Sequence, residues 1–349
     1  MSHLVAVRSR LTSRVGQVVG RVESVARGLL LACSCLAVCH VAFAQQERVY
    51  RAKPVEEWIR QLQDKNVRGR WYAIYALGQL GPQAGPAVEP LAKILKDQYE
   101  NEYVRGGASW ALGHIGAAAE STIPLLIETL KSKHVSVRRN SSRALGNLGA
   151  AAKPAAGALV HALVDEDPIV RVNAAESLWK IDRHPKALPA LAEMIRHGKA
   201  PLPYEATVAL GRMGPEADAA IPTLIMALDH PSSDVRRAGA QALGRMGPAA
   251  LPALRNTLAH RNAEVCRSTV EALGWIGPPA LPMLIEALGH ADPAVRRSAA
   301  RSLGRLGPSA RDATGPLIEA VNDRNQLVRE AAARALNKVR SPTDKPKTE

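Results

Sequence analysis

Asp234-Val235-Arg236-Arg237-Ala238-Gly239-Ala240-Gln241-Ala242-Leu243-Gly244 decides the architecture of this chain. Its Val, Ala, Ala and Leu fall at helical spacing and form one apolar stripe. The helix then closes at Gly247, where a glycine is expected to supply a left-handed C-terminal cap. The closing phrase returns as Ala76-Leu77-Gly78-Gln79-Leu80-Gly81, Ala111-Leu112-Gly113-His114-Ile115-Gly116 and Ala144-Leu145-Gly146-Asn147-Leu148-Gly149. It recurs at Gly214, Gly277 and Gly307, and in degenerate form at Asp182 and Arg340. Successive spacings of 35, 33, 33, 32, 33, 30, 30 and 33 residues fit one helical hairpin per repeat, and nine hairpins in all.

Each unit also carries a first helix, such as Ile123-Pro124-Leu125-Leu126-Ile127-Glu128-Thr129-Leu130, followed by a short polar loop. Pro90, Pro124, Pro189, Pro222, Pro252, Pro282 and Pro316 mark the starts of these helices, because the first turn has no intrahelical acceptor to lose. A chain of 349 residues exceeds the roughly 250–300 residues at which a single core stops growing. A stacked array escapes that limit, since each repeat packs only on its neighbours. Packing by Ala and Gly accounts for an aromatic content of only 3%.

Charged residues at 22% beside 46% apolar residues exclude a disordered chain. Three of the four cysteines, Cys33, Cys35 and Cys39, lie within the first 44 residues. Cys266 alone cannot build a disulfide scaffold or a cysteine-based zinc module.

The phrase Asp-x-Val-Arg-x-x-Ala-x-x-Ala-Leu-Gly resembles the HEAT-like repeats of the phycobilin (PBS) lyase family over residues 55–340. The resemblance implies an all-α, armadillo-type superhelix. It also places the second helix of every hairpin on the concave side. Members of that family include bilin lyases, the di-iron enzyme deoxyhypusine hydroxylase and non-catalytic scaffolds. The hydroxylase would need paired His-Glu dipeptides for iron, and this sequence contains none.

Residues 1–44 read as a secretory signal: Arg8, Arg10, Arg14, Arg21 and Arg27, then the apolar stretch Gly28 to Ala44 ending in Ala42-Phe43-Ala44. The apolar run Leu29 to Val38 is shorter than the ~20 residues of a membrane-spanning helix. Cleavage after Ala44 and a periplasmic or secreted mature chain are expected, with an uncleaved N-terminal anchor as the alternative. Removal of this segment lowers the net charge from +14 to +10. A solenoid over residues 45–340 and a disordered polar tail over 341–349 complete the expected organisation.

An arginine follows the recurring Val, or its equivalent, in seven repeats: Arg70, Arg105, Arg138, Arg171, Arg236, Arg296 and Arg329. Acids often precede it, as Asp64, Asp167, Asp234, Asp292 and Asp323. The expected role is structural, an inter-repeat ladder in which the guanidinium fork bridges an acid or a loop carbonyl of the adjacent repeat. Pro203 and Cys266 should interrupt it, with Cys266 a packing residue rather than a nucleophile.

No phosphate loop, nucleophile elbow or metal-ligand pair at helical spacing is present, and the histidines are scattered as polar surface residues. No catalytic residue, cofactor or metal site is therefore assigned. Counting from the recurring Val as zero, positions +2, +6 and +10 should face the concavity. Early repeats place Trp71, Tyr75, Trp110 and His114 there, and later ones place Arg237, Arg245, Arg267, Arg297, Arg301, Arg305, Arg334 and Lys338. Eight of the eleven aromatics beyond residue 44 lie before residue 111, so one end is aromatic and the other basic. Trp58 and Tyr72 should face the packed side and cap the array. The expectation is a monomeric, non-catalytic exported scaffold without a membrane span, binding a protein partner along its concave face. An acidic partner surface would suit the basic half, and export disfavours intracellular nucleic acid. The alternative is a catalytic or cofactor-handling member of the lyase and hydroxylase group.

Overall fold

The computed structural model describes residues 53–340. The expected signal segment and polar tail lie outside the described residues. The first three hairpins are α1 (Val55–Gln61) with α2 (Val67–Leu80), α3 (Val88–Lys96) with α4 (Glu102–Ile115), and α5 (Ile123–Thr129) with α6 (Val135–Asn147). The middle three are α7 (Ala156–Ala162) with α8 (Pro168–Asp182), α9 (Ala187–His197) with α10 (Leu202–Met213), and α11 (Ile221–Ala227) with α12 (Ser233–Met246). The last three are α13 (Leu251–Leu258) with α14 (Ala263–Ile276), α15 (Leu281–Glu286) with α16 (Pro293–Leu306), and α17 (Thr314–Ala320) with α18 (Gln326–Arg340). The fold is a helical-repeat solenoid of nine hairpins, with no strand among the described residues. Among those residues no helix is long and apolar enough to cross a membrane.

Consecutive second helices pack along one another, whereas a first helix meets mainly its own partner and the turns beside it. The second helices therefore form one closely spaced layer, the one expected to be the inner layer in this repeat class. Their spacing depends on the glycine of Ala-Leu-Gly. A Cβ on Gly113 would stand 2.6 Å from the Cα of Ala144 in the next second helix, closer than real Cβ atoms approach. Short 3-10 segments such as Gly81–Ala87 and Gly116–Thr122 link successive repeats. Their fully buried alanines, Ala84, Ala87 and Ala119 among them, extend the core between layers.

The expected left-handed cap takes a different form. Gly81 has φ 57° and ψ −131°, and Gly214 has φ 73° and ψ −169°. Both lie far in ψ from the left-handed helix, towards the territory that essentially only glycine enters. The left-handed residue proper is Arg183, with φ 56° and ψ 38°. It ends α8, whose repeat has lost the closing glycine. Trp58 is fully buried at the N-terminal end and meets Tyr72 edge-on, with ring centroids 5.6 Å apart.

Candidate functional site

The recurring arginine holds one register in six of its seven positions. Its Nη1 donates to the backbone carbonyls six and five residues earlier, as Arg236 does to His230 and Pro231 at 2.9 and 2.8 Å. Arg70, Arg138, Arg171, Arg296 and Arg329 do the same. These carbonyls belong to the arginine's own hairpin loop, not to the adjacent repeat as the sequence suggests. The next repeat supplies the acid. Arg70 reaches Glu100, Arg138 reaches Asp165 and Glu166, Arg236 reaches Glu264, and Arg296 reaches Asp323.

Three arginines have no such acid. Arg105 turns both Nε and Nη2 to the Leu95 carbonyl, and Arg171 and Arg329 hold only their own loops. Of the five acids expected as ladder partners, Asp323 alone receives a recurring arginine. Asp167 instead takes Arg139 and caps α8, and Asp292 caps α16. Cys266 is buried and points its Sγ at the His260 carbonyl, 3.0 Å away, in the place where other repeats put Nη1. Burial pushes its thiol up, which opposes thiolate chemistry.

The loop histidines do more than decorate the surface. His230, His260 and His290 stand six residues before the recurring position, in register with Asp64, Asp165 and Asp323. Their Nδ1 atoms accept the backbone N–H two residues on, at 3.1, 3.1 and 3.0 Å. Asp165 and Asp323 close their loops identically through Oδ1. The sequence signal was the shared register of His and Asp.

On the inner layer the four aromatic residues come together. Trp71 stacks on Tyr75 with centroids 5.4 Å apart and planes within 6°. Tyr75 stacks on Trp110 at 5.4 Å and 11°, and His114 lies 4.2 Å beyond Trp110. Two sequence choices permit this. The Trp110 ring lies across Gly78, where a Cβ would come within 2.1 Å of it, and helical spacing places Trp71 and Tyr75 on one face of α2. Trp71 is 44% exposed, and a cavity of about 250 Å³ opens between its ring, Tyr103, Trp110 and Asn140.

The basic residues gather less completely. Arg297, Arg301 and Arg305 share α16 and line two adjoining cavities, one with Arg267 and the other with Arg334 and Lys338. Acids share the space. Arg267 pairs with Glu264 and Glu271, and Arg334 with Glu330, so this half is partly self-neutralised rather than uniformly basic. Burial lowers the affinity of Arg305 for its proton, with Arg301 adding to the effect and Glu271 opposing it. Arg237 stands apart in a separate cavity beside Tyr204, and Arg245 approaches Gly211 of the preceding repeat.

Three further features sit on the same register. Tyr204 at +2 and Trp275 at +10 are 43% and 56% exposed, so aromatics are not confined to the first repeats. In the middle, Glu176 is buried between Arg212 and Lys180 at 2.6 and 2.9 Å. Burial alone would raise its carboxyl, but the hydrogen bonds from Arg212 and Lys180 outweigh that and hold it below the usual carboxylate range. Among the described residues no group of three or more His, Cys, Asp or Glu is arranged to hold a metal ion.

The family model described as HEAT repeats matches residues 55–146, 123–211, 196–274, 221–291 and 281–347. A search of the curated proteins finds no match. Among solved structures, human deoxyhypusine hydroxylase in complex with glycerol is similar at 22% identity and a TM-score of 0.31, over 73% of this chain and 96% of that one. A chain from the structure in which Kap95p binding switches RanGDP loops to the GTP-bound conformation is similar at 14% identity and a TM-score of 0.53, over 82% of this chain. This chain spans 44% of the length of that one, and the likeness is one of fold.

Proposed function

Since the chain belongs to the HEAT-repeat family, we propose that it is an exported, non-catalytic scaffold that binds a protein partner along its inner layer. The observation that carries this reading is the stack of Trp71, Tyr75, Trp110 and His114. Large aromatics left partly in water, beside a cavity, are the usual anchors of a protein interface because few rotors are frozen when they bind. Arg237, Arg245, Arg267, Arg297, Arg301 and Arg305 extend the same face and favour a partner with acidic groups opposite them. Within the repeat family, the Asp-x-Val-Arg phrase supports a place among the lyase-type HEAT-like repeats.

The test is recovery of a partner by the tagged full chain from its native cell envelope, repeated with Trp71→Ala. Loss of one defined partner with the variant supports the reading, and identical recovery by both proteins removes the aromatic face from it. Elemental iron or visible absorbance in the purified protein would favour the catalytic alternative. Export makes a separate claim, checked by N-terminal sequencing of exported material, which should begin at Gln45.

A further inference from the structure

Arg171 is an arginine of the ladder that has lost its acid while keeping its posture. In three other repeats the Nε and Nη2 edge of the guanidinium grips both oxygens of one carboxylate. Arg70 holds Glu100 at 2.8 and 2.6 Å, Arg138 holds Asp165 at 2.8 and 3.0 Å, and Arg296 holds Asp323 at 2.7 and 2.9 Å. Arg171 is oriented in the same way, its Nη1 bound to the Asp165 and Glu166 carbonyls at 2.6 and 3.2 Å. The loop that should supply the acid reads Gly198-Lys199-Ala200-Pro201 and contains none. No acceptor for the Nε and Nη2 edge is found among the described residues, and Arg171 lines an open cavity of about 470 Å³.

The cavity adds charge and an apolar wall. Lys199 lies on its rim, and Met194, Leu202 and Pro168 line it. Glu193, also on the rim, is engaged by Arg196 and His197 of its own helix. We propose that Arg171 and Lys199 form a binding site for a peptide carboxylate, with Met194 and Leu202 receiving the apolar group next to it. The preference for a carboxylate follows from the protein itself, since the same guanidinium edge grips one in three repeats, and the planar fork matches its two oxygens. The site lies at the loop end of the fourth and fifth hairpins and is independent of the aromatic stack.

The experiment is a titration of the unaltered full chain, observed through the arginine Nε–H resonances, with Arg171 identified by the signal lost in Arg171→Lys. The probes are N-acetylleucine for a chain terminus, N-acetylaspartic acid α-methylamide for an acidic side chain, N-acetylleucinamide as the uncharged control, and inorganic phosphate. A saturable shift of the Arg171 signal with either carboxylate, absent with the amide and weakened several-fold by Lys199→Ala, is the expected result. A response to N-acetylleucine alone identifies a chain terminus, and a response to the aspartate probe identifies an acidic side chain. Equal shifts of Arg297 and Arg301, a response to phosphate alone, or no response would overturn the proposal. None of these outcomes depends on whether the aromatic face binds a partner.

Discussion

Arg296 sets its Nε and Nη2 against the two carboxylate oxygens of Asp323, 27 positions along the chain and one repeat further on, at 2.7 and 2.9 Å. Both side chains are nearly buried, and the remaining amine of Arg296 holds its own loop through His290 and Ala291. One guanidinium thus fastens a hairpin turn and ties that hairpin to the next. The hydrogen bond from Arg296 holds the Asp323 carboxyl below its usual range.

A graded loss of stability should follow from the number of partners each arginine holds. Arg296→Ala strands a nearly buried carboxylate and should cost about 3 kcal/mol. Arg236→Ala, whose acid Glu264 is half exposed, should cost about 1–3 kcal/mol. Arg329→Ala gives up only loop carbonyls at the end of the array and should cost about 1 kcal/mol. Chemical denaturation of the three variants gives the order, and equal losses would dissociate the ladder from stability.

The histidine and aspartate loops lose stability in the same direction, towards acid, but in different pH windows. Burial, reinforced by Arg236, pushes the His230 imidazole down, and its Nδ1 must stay unprotonated to accept the Ser232 N–H. A lowered folded value means that the unfolded chain takes up the proton first. The stabilisation is complete above the ordinary imidazole value of about 6.5 and is lost as pH falls through the folded one. For Asp323 the same logic acts below the ordinary carboxylate value of about 3.9. Between pH 7.5 and 5 the denaturation midpoint should fall, and His230→Asn, which keeps an acceptor without a proton, should flatten part of that fall. An unchanged slope in the variant would mean that the turn does not sense protonation.

The repeats were legible because their period is a backbone property. Helical spacing recurs in all nine repeats, proline in the first helix and glycine at the closing in seven each, and averaging over repeats suppresses local error. The ladder was half legible. The arginine column is a pattern within one repeat, but its acids were sought just before each arginine on the same strand of sequence. They sit in the following hairpin, in its loop or, for Glu264, in the first turn of its second helix, at a distance the chain order does not announce. Tyr204 and Trp275 escape for a simpler reason: Pro203 and Cys266 break the phrase in the fifth and seventh repeats, and there the register is followed only as far as Arg267. The pairing of Glu176 with Arg212 depends on how two neighbouring second helices face one another, which no single-repeat pattern contains.

Glycine should behave oppositely in the two layers. Gly113→Ala forces a methyl group against the Ala144 backbone and should destabilise by about 1–3 kcal/mol through overpacking. Gly157, in the first helix α7, has open space where a Cβ would go, so Gly157→Ala should stabilise by about 0.4–1 kcal/mol. Thermal denaturation of both variants tests whether the inner layer alone sets the helix spacing. A neutral Gly113→Ala would show that the layer can give.

The aromatic face is best probed at Trp71 rather than Trp110. Trp110 lies over Gly78 and between Tyr75 and His114, so its truncation opens a void in the array as well as removing a contact. Trp71 ends the stack, keeps 44% of its surface in water, and loses mainly one stacking partner, worth about 0.5–1.5 kcal/mol. If the face anchors a partner, Trp71→Ala should weaken affinity by about 2 kcal/mol or more while the melting temperature moves little. Trp110→Ala should lower both. A large fall in melting temperature for Trp71→Ala with affinity unchanged would make the stack a cover for the end of the solenoid, as array ends require, and the proposed interface would move to the face around Trp275.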